Sequence, residues 1–409
     1  MQYGLIGEHL GHSYSPEIHK LLRGYDYALW PMPPADLPDF FARREFLGVN
    51  VTIPYKKAAM SYCDALGDTA RRVGCVNTIV RRADGTLFGD NTDVSGFSYM
   101  LREADISLAG KHVLILGGGG ASLTARLVAA DAGAASCRTV SREGELNYGN
   151  VTVRCPQTQV IVNATPVGMF PNSGASLVEP AKFAQLEAGV DLIYNPLRSR
   201  FLQLCVAKGC KTADGLSMLV AQAEAAAAIF TGEHAAPGAV ERVLGVLRRK
   251  IENWVLVGMP GSGKSTAGAY LAAQSGRTFY DTDAVIAGRA GMSIPEYFAT
   301  RGEAAFRELE SAVVSEIGAK TGVVIATGGG AILRAENVAA LRQNGRLLWI
   351  RRAAEVLAQT GRPLSKDLAS LRVMEQARRP YYETAANAVV ENDSDRDALQ
   401  ARVLEYFRD

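Results

Sequence analysis

Along most of the chain, short apolar runs alternate with longer stretches rich in Ala and Leu. That alternation predicts parallel strands covered by helices, an α/β class. The strands include Lys111–Leu116 (KHVLIL), Cys137–Arg142 (CRTVSR), Asn253–Val257 (NWVLV) and Thr278–Tyr280 (TFY). Gly232–Pro237 (GEHAAP) interrupts the pattern, a helical stretch follows to Lys250, and a fresh strand then opens a second unit. The pattern therefore predicts one unit over 1–250 and another over 251–409, each long enough to bury its own core.

Composition narrows this picture. Hydrophobic residues make up 48% and charged residues 21% of the 409, which suits ordinary globular domains. The net charge is +2 and the basic residues are scattered, so no nucleic-acid partner is expected. No apolar run reaches a membrane span, and the first residues show no signal peptide. The six cysteines form no C-x-x-C and no zinc spacing, so they read as core residues of a cytoplasmic protein.

Candidate chemistry is densest in the second unit. Strand NWVLV runs into Gly258–Thr266 (GMPGSGKST), which fits G-x-x-x-x-G-K-[ST], and an amphipathic helix follows. Backbone N–H groups of such a loop wrap an anionic phosphate, and the helix N-terminus adds a positive dipole end. Gly261, Ser262, Gly263, Lys264, Ser265 and Thr266 are the expected ATP-binding residues, with Lys264 reaching the outer phosphates and Ser265 facing Mg2+. Strand TFY ends in Asp281-Thr282-Asp283, at the strand edge where open α/β sheets take ligands. One carboxylate there can hold magnesium and the other can accept a proton from a substrate hydroxyl. Arg307 and Glu310 follow one helical turn apart, then Gly328–Gly330, Arg362-Pro363-Leu364 and Arg378-Arg379-Pro380.

In that order, these residues resemble shikimate kinase from about 251 to 409. The resemblance implies Asp281 and Ser265 toward magnesium and Asp283 toward the attacking hydroxyl. It implies Arg307 and Arg378 on the substrate carboxylate, Gly328, Gly329 and Gly330 against the ring, and Arg362 on a mobile lid. The lid departs from the family pattern: Gln359-Thr360 stands where an Arg-Thr pair is usual, and the stretch to Arg378 is short.

The first unit has its own glycine turn. Strand KHVLIL enters Gly117-Gly118-Gly119-Gly120-Ala121-Ser122, and a helix over TARLVAADAG follows, as in dinucleotide binding. A purely structural turn stays open on that motif alone. The next strand ends at Arg142, which favours a 2′-phosphate and hence NADP over NAD. Upstream lie four polar clusters, His12–Pro16, Asn50–Lys56, Val76–Thr78 and Gly89–Asp93. Each has an ordinary reading as well: Ser13 and Ser15 as helix caps, Lys56 as a surface lysine, Asp93 as a cap.

The order and wording of these clusters resemble shikimate dehydrogenase from residue 3 to about 250. The likeness continues through Asn163–Pro166, Asp191–Pro196 and Gly215–Gln222. It implies a substrate part over about 1–97 and 222–250, and a Rossmann-like NADP part over about 98–221. Ser13 and Ser15 would hold the substrate carboxylate, and Thr52, Asn77, Tyr194 and Gln222 the ring substituents. Lys56 and Asp93 would be the catalytic pair. Gly117, Gly119, Gly120 and Ala121 would cradle the NADP(H) pyrophosphate, with Ser141, Arg142, Thr165, Gly215 and Met218 completing that site. After Arg142 the chain reaches its next strand within about twenty residues, so this part is pared down.

The two resemblances meet in one chemistry. A dehydrogenase that makes the shikimate hydroxyl precedes a kinase that phosphorylates it, with 3-dehydroshikimate and shikimate as the small-molecule substrates. Three alternatives remain at this stage: one half alone active, a quinate dehydrogenase joined to another kinase, or a metabolite-binding regulator built from enzyme-like domains.

Overall fold

The computed structural model describes residues 2–11, 13–357, 368–393 and 395–408. The chain divides into two compact units, Met1–Leu247 and Arg248–Asp409.

The first unit holds two sheets. One comprises β1 (Tyr3–Gly7), β2 (Tyr27–Pro31), β3 (Gly48–Val51), β4 (Ala65–Leu66), β5 (Thr78–Arg81) and β6 (Leu87–Asp90), in the order β2-β1-β3-β5-β6-β4. β5 runs antiparallel to both β3 and β6, whereas β1, β2 and β3 are parallel. This reversal brings the end of β3, the start of β5 and the end of β6 to one edge. The register pairs Asn50 with Thr78 and Thr78 with Asp90. The other sheet is parallel throughout, with β7 (His112–Leu116), β8 (Ser136–Val140), β9 (Val160–Asn163), β10 (Ala188–Asp191) and β11 (Lys211–Ala213) in the order β11-β10-β9-β7-β8. Its inner strands β7, β9 and β10 are mostly buried, and Val113, Ile115, Val160 and Val162 lie in one core cluster. Between β8 and β9 the chain forms only a four-residue helix, Val151–Arg154.

β8 stops at Val140, two residues before the predicted end. The Ser141 hydroxyl donates to the Glu143 carbonyl at 2.6 Å, which turns the chain and leaves Arg142 in the turn. The helix after the glycine turn starts at Gly120, earlier than the predicted Thr124.

The second unit is a single parallel sheet of β12 (Asn253–Val257), β13 (Phe279–Asp281), β14 (Val324–Ala326), β15 (Gly345–Arg351) and β16 (Ala388–Glu391), ordered β13-β14-β12-β15-β16. β12 is central and all five of its residues are buried. Two apolar clusters flank the sheet, one around Val255, Ile325, Leu347 and Trp349, the other around Leu256, Val324, Leu348 and Phe407. No helix among the described residues is long and apolar enough to cross a membrane.

Helix Asp93–Glu103 packs on helix Gly215–Thr231 through Gly96. A Cβ there would stand 2.6 Å from the Met218 carbonyl and 2.9 Å from Gln222 Cβ. Gly96→Ala would gain about 0.5–1 kcal/mol of helix propensity. Overpacking against a backbone carbonyl costs about 1–3 kcal/mol and outweighs it. We expect net destabilisation of the first unit in urea denaturation, with the second unit unchanged.

Candidate active sites

The first site forms where two strands of the mixed sheet end and a third begins. The chain leaves β3 through Thr52 and a tight loop that presents Lys56, and it leaves β6 through Asn91 and Thr92 into helix Asp93–Glu103. Lys56 Nζ donates to Asp93 Oδ2 at 2.5 Å, and Asn77 Nδ2 donates to Asp93 Oδ1 at 2.9 Å. Asp93 is buried, so its ordinary reading as a helix cap does not hold. Thr92 occupies the cap position and the Asp93 carboxylate is taken by its two partners. Lys56 is no free surface lysine for the same reason. Ser13 does act locally, accepting the Ser15 N–H at 3.2 Å and donating to Ser15 Oγ at 3.1 Å.

A cavity of about 490 Å3 opens over this pair. Its wall includes Ser13, Ser15, Thr52, Lys56, Asn77, Asp93, Tyr194 and Gln222, together with Ala121, Gly215 and Met218. A second cavity of about 360 Å3 takes Gly117, Ser141, Arg142 and Thr165. Gly119 and Gly120 line neither. Gly117 has φ 103° and a Cβ there would meet Thr165 Cγ2 at 2.6 Å, so only glycine fits. At Gly118, Gly119 and Gly120 an added Cβ would meet nothing within 4 Å. Those three glycines thus answer no packing need. They leave open space at the N-terminus of the twelve-residue helix Gly120–Asp131, where an anion fits.

The second site lies beyond β12. Gly258, Gly261 and Gly263 have φ of 149°, 83° and 98°, which a loop wrapping an anion requires. Gly263 precedes helix Lys264–Ser275, in whose first turn Ser265 and Thr266 stand. Lys264 is buried and its Nζ donates to the carbonyls of Gly258 (2.9 Å) and Met259 (2.8 Å). Ser265 Oγ donates to Asp281 Oδ2 at 2.5 Å, so the two predicted magnesium ligands already touch. Two adjacent oxygen donors suit Mg2+, which keeps several of its waters. Asp281 also caps helix Thr282–Ala290, accepting the N–H groups of Asp283 and Ala284 at 3.0 and 3.3 Å.

The triple glycine lies against the remaining candidates. A Cβ on Gly328 would strike Asp283 Oδ1 and crowd Glu310 Oε1, and one on Gly330 would strike the Arg307 guanidinium. Arg307 Nη1 meets Glu310 Oε2 at 2.7 Å, and burial pushes the Glu310 carboxyl up against the opposing pull of Arg307. The Gly329 carbonyl accepts from Arg378 Nη1 at 3.0 Å and from the Tyr382 hydroxyl at 2.7 Å. Arg362 lies outside the described residues.

Known proteins share these features. A model of the shikimate dehydrogenase substrate-binding domain matches residues 5–79, and a shikimate kinase model matches residues 260–408. Shikimate dehydrogenase (NADP(+)) of Clostridium perfringens strain 13 is 36% identical over 251 residues, 92% of its length and 56% of this chain. The chain belongs to the shikimate dehydrogenase family. Its second unit is a shikimate kinase domain. The Thermus thermophilus shikimate dehydrogenase (NADP(+)) is 35% identical over 267 residues, its whole length and 60% of this chain. Among solved structures, shikimate dehydrogenase 1 from Peptoclostridium difficile superposes with a TM-score of 0.56 at 34% identity, covering 97% of that chain and 60% of this one. A chorismate mutase/shikimate 5-dehydrogenase fusion protein from Clostridium acetobutylicum gives 0.57 at 34%, covering 97% of that chain and 61% of this one.

The dehydrogenase cavity holds residues to which sequence reasoning assigned no role. His9, Asn50 and Asn195 add polar groups, while Met169 and Phe170 add exposed apolar surface. Asn50 and Asn195 sit inside clusters the sequence does flag. Met169 and Phe170 carry no polar signal.

Asp191, at the end of β10, is fully buried. It accepts from Asn163 Nδ2 at 3.0 Å, from the Ile193 N–H at 3.1 Å and from the Ser199 hydroxyl, and Asn163 Oδ1 in turn accepts the Thr165 hydroxyl at 2.7 Å. Burial outweighs those bonds and pushes the carboxyl up to about 7 from 3.8. The folded chain therefore holds this proton more tightly than the unfolded chain does. Its stabilising contribution is complete below about pH 4 and is lost as pH rises through about 7. Urea denaturation across that range should show the first unit's stability falling more steeply in the wild type than in Asp191→Asn.

Proposed function

We propose that the first unit reduces 3-dehydroshikimate to shikimate with NADPH, and that the second phosphorylates shikimate to shikimate 3-phosphate with ATP and Mg2+. The observation that carries this reading is the single cavity around which Ser13, Ser15, Thr52, Asn77, Tyr194 and Gln222 surround the Lys56–Asp93 pair. The solved Thermus thermophilus shikimate dehydrogenase is described as a complex with NADP(H) and shikimate, at 32% identity and a TM-score of 0.54.

In the reduction, NADPH, when bound, would supply a hydride to the ketone carbon. Lys56 gives a proton to the carbonyl oxygen, so that the C=O becomes a secondary alcohol, and Asp93 keeps the ammonium aimed. Ser13 and Ser15 donate to the substrate carboxylate. Thr52, Asn77, Tyr194 and Gln222 orient the ring, and Met218 packs on the nicotinamide side. The open turn at Gly119, Gly120 and Ala121 takes the pyrophosphate, with Gly117, Thr165 and Gly215 shaping its borders. Arg142, beside Ser141, takes the 2′-phosphate.

In the phosphorylation, the loop Gly261–Thr266 holds the nucleotide phosphates and Lys264 turns from its own loop carbonyls to the transferring group. Ser265 and Asp281 hold Mg2+. Asp283 accepts the proton of the attacking hydroxyl, Arg307 and Arg378 grip the carboxylate, and the glycines at 328–330 admit the ring edge. Arg362 joins the transferring phosphoryl from the lid. The domain roles follow: residues 1–97 and 222–250 bind substrate, 98–221 bind NADP, and 251–409 form the kinase. Six free cysteines suit a reducing cytoplasm.

One incubation tests the reading. Purified chain with 3-dehydroshikimate, NADPH, ATP and Mg2+ should consume NADPH first and release ADP only as shikimate forms. NADPH loss without ADP would remove the kinase half of the proposal. Loss of neither would favour a metabolite-binding regulator. Lys56→Ala should lower reductase kcat by about 10²–10⁴-fold and leave phosphorylation of added shikimate intact. Lys264→Ala should do the reverse.

A further inference from the structure

We propose that Tyr27 is a positioning residue for the Lys56–Asp93 pair, acting through a one-way relay of hydrogen bonds that runs Tyr27–Asn50–Thr78–Asn77–Asp93. The inference rests on the reductase reading and adds to it a residue that does not line the cavity.

Both carboxamides of the relay are oriented by backbone groups that have no choice. The backbone carbonyl of Asn77 can only accept, so Asn50 must turn its NH2 toward it at 3.1 Å, and toward Thr78 Oγ1 at 3.0 Å. Asn50 Oδ1 then faces Tyr27, whose hydroxyl must donate to it at 2.7 Å. Thr78 accepts from Asn50 and donates to Asn77 Oδ1 at 2.9 Å, the shorter of its two contacts, with Thr92 Oγ1 at 3.2 Å. That atom is independently fixed as the oxygen, because the Thr92 backbone N–H donates to it at 2.8 Å. The Asn77 NH2 therefore faces Asp93 Oδ1 at 2.9 Å and Thr92 Oγ1 at 3.0 Å. Asp93 is the terminal acceptor, with Lys56 on its other oxygen. Turning either carboxamide by half a rotation would set donor against donor or acceptor against acceptor.

The relay crosses the mixed sheet from β2 to the end of β6, and each of its members is buried. Its first donor is held in place. The Tyr27 ring stacks on His19 with centroids 4.0 Å apart and planes 6° from parallel. Burial pushes the His19 imidazole down to about 3, against a smaller opposing contribution from Asn50, so the stack stays uncharged. His19 Nδ1 is itself paired with the Tyr25 hydroxyl at 2.7 Å. A buried acceptor deprived of its donor is costly, and buried networks respond as units. Without the Tyr27 hydroxyl, Asn50 Oδ1 loses that donor, and turning the carboxamide offers no repair because it would set Oδ1 against the Asn77 carbonyl. Asn50 is then held less firmly, and with it the Thr78 hydroxyl and the Asn77 carboxamide that orient Asp93.

The test uses the full chain, with steady-state kinetics of both reactions. Tyr27→Phe keeps the ring and its stack while removing only the first donor. Thr78→Val removes a middle hydroxyl at nearly constant shape. Each should lower reductase kcat by about tenfold, with KM for both reductase substrates within about twofold and the kinase reaction unchanged. The double variant should be no worse than the poorer single, because both cut one relay. Wild-type kcat in Tyr27→Phe, a loss confined to KM, or a double-variant loss equal to the product of the singles would overturn the relay. The wild-type chain run in parallel separates the two levels. If it fails to reduce 3-dehydroshikimate, the reductase reading falls, whereas undiminished turnover in Tyr27→Phe sinks the relay alone.

Discussion

An ammonium and a carboxylate taken out of water lose hydration that their mutual attraction returns only when geometry and further hydrogen bonds are good. The Lys56–Asp93 contact meets that condition because everything near it is arranged to do so. Asp93 has one oxygen on Lys56 and the other on Asn77, and its backbone N–H is held by Asn91. The arrangement depends on β5 running antiparallel between β3 and β6. An all-parallel sheet would have sent the start of β5 to the opposite edge, away from Asp93 and Lys56. The fold of the first sheet is in this sense a device for bringing Asn50, Asn77 and Asp93 to one place.

The second unit meets the same constraint with different means. Its sheet is wholly parallel, so the site is built from loops that leave β12, β13 and β14 at a shared edge. Where the first site uses an antiparallel return to bring side chains together, the second uses glycines to bring backbone close. Gly328 and Gly330 are small because Asp283, Glu310 and Arg307 occupy the space a side chain would need. Tyr382 and Arg378 both bind the Gly329 carbonyl, which fixes that turn from the opposite side.

Much of this is legible in the sequence, and the reason is local. Gly258–Thr266 and the clusters around Lys56, Asp93 and Asp281 are contiguous strings whose chemistry is carried by near neighbours in the chain. The alternation of apolar runs and helical stretches likewise exposes the α/β class. What escapes is set by register across strands. Tyr27 and Thr78 matter through a shared partner, Asn50, 23 and 28 residues away in sequence, which no local pattern encodes. Asp191 reads as one letter of a cluster, yet its titration near neutrality follows from burial among Asn163 and Ser199. The end of β8 departs from expectation for a similar reason, since a side-chain bond from Ser141 to the Glu143 carbonyl turns the chain where propensity would continue the strand.

The proposed reactions ask both sites to hold the same anionic ring, and the two sites have different electrostatic starting points. In the first, Lys56 is already neutralised by Asp93, and the carboxylate would meet Ser13 and Ser15, which are neutral donors. In the second, Arg307 is paired with both Glu310 and Glu303, and the charges of Asp283 and Arg378 also act on Glu310. A kinase site must in addition bring a phosphoryl group onto the ring hydroxyl itself, so guanidinium groups on the carboxylate would offset the repulsion between two anions held close together. The proposed anion of the first unit would sit at a helix N-terminus with no lysine in the loop, which suits a pyrophosphate that is bound and not broken. The loop at Gly258–Thr266 places Lys264 within it, which suits a phosphate whose bond must be cut. The difference between binding and transfer is thus written in one residue type at equivalent turns.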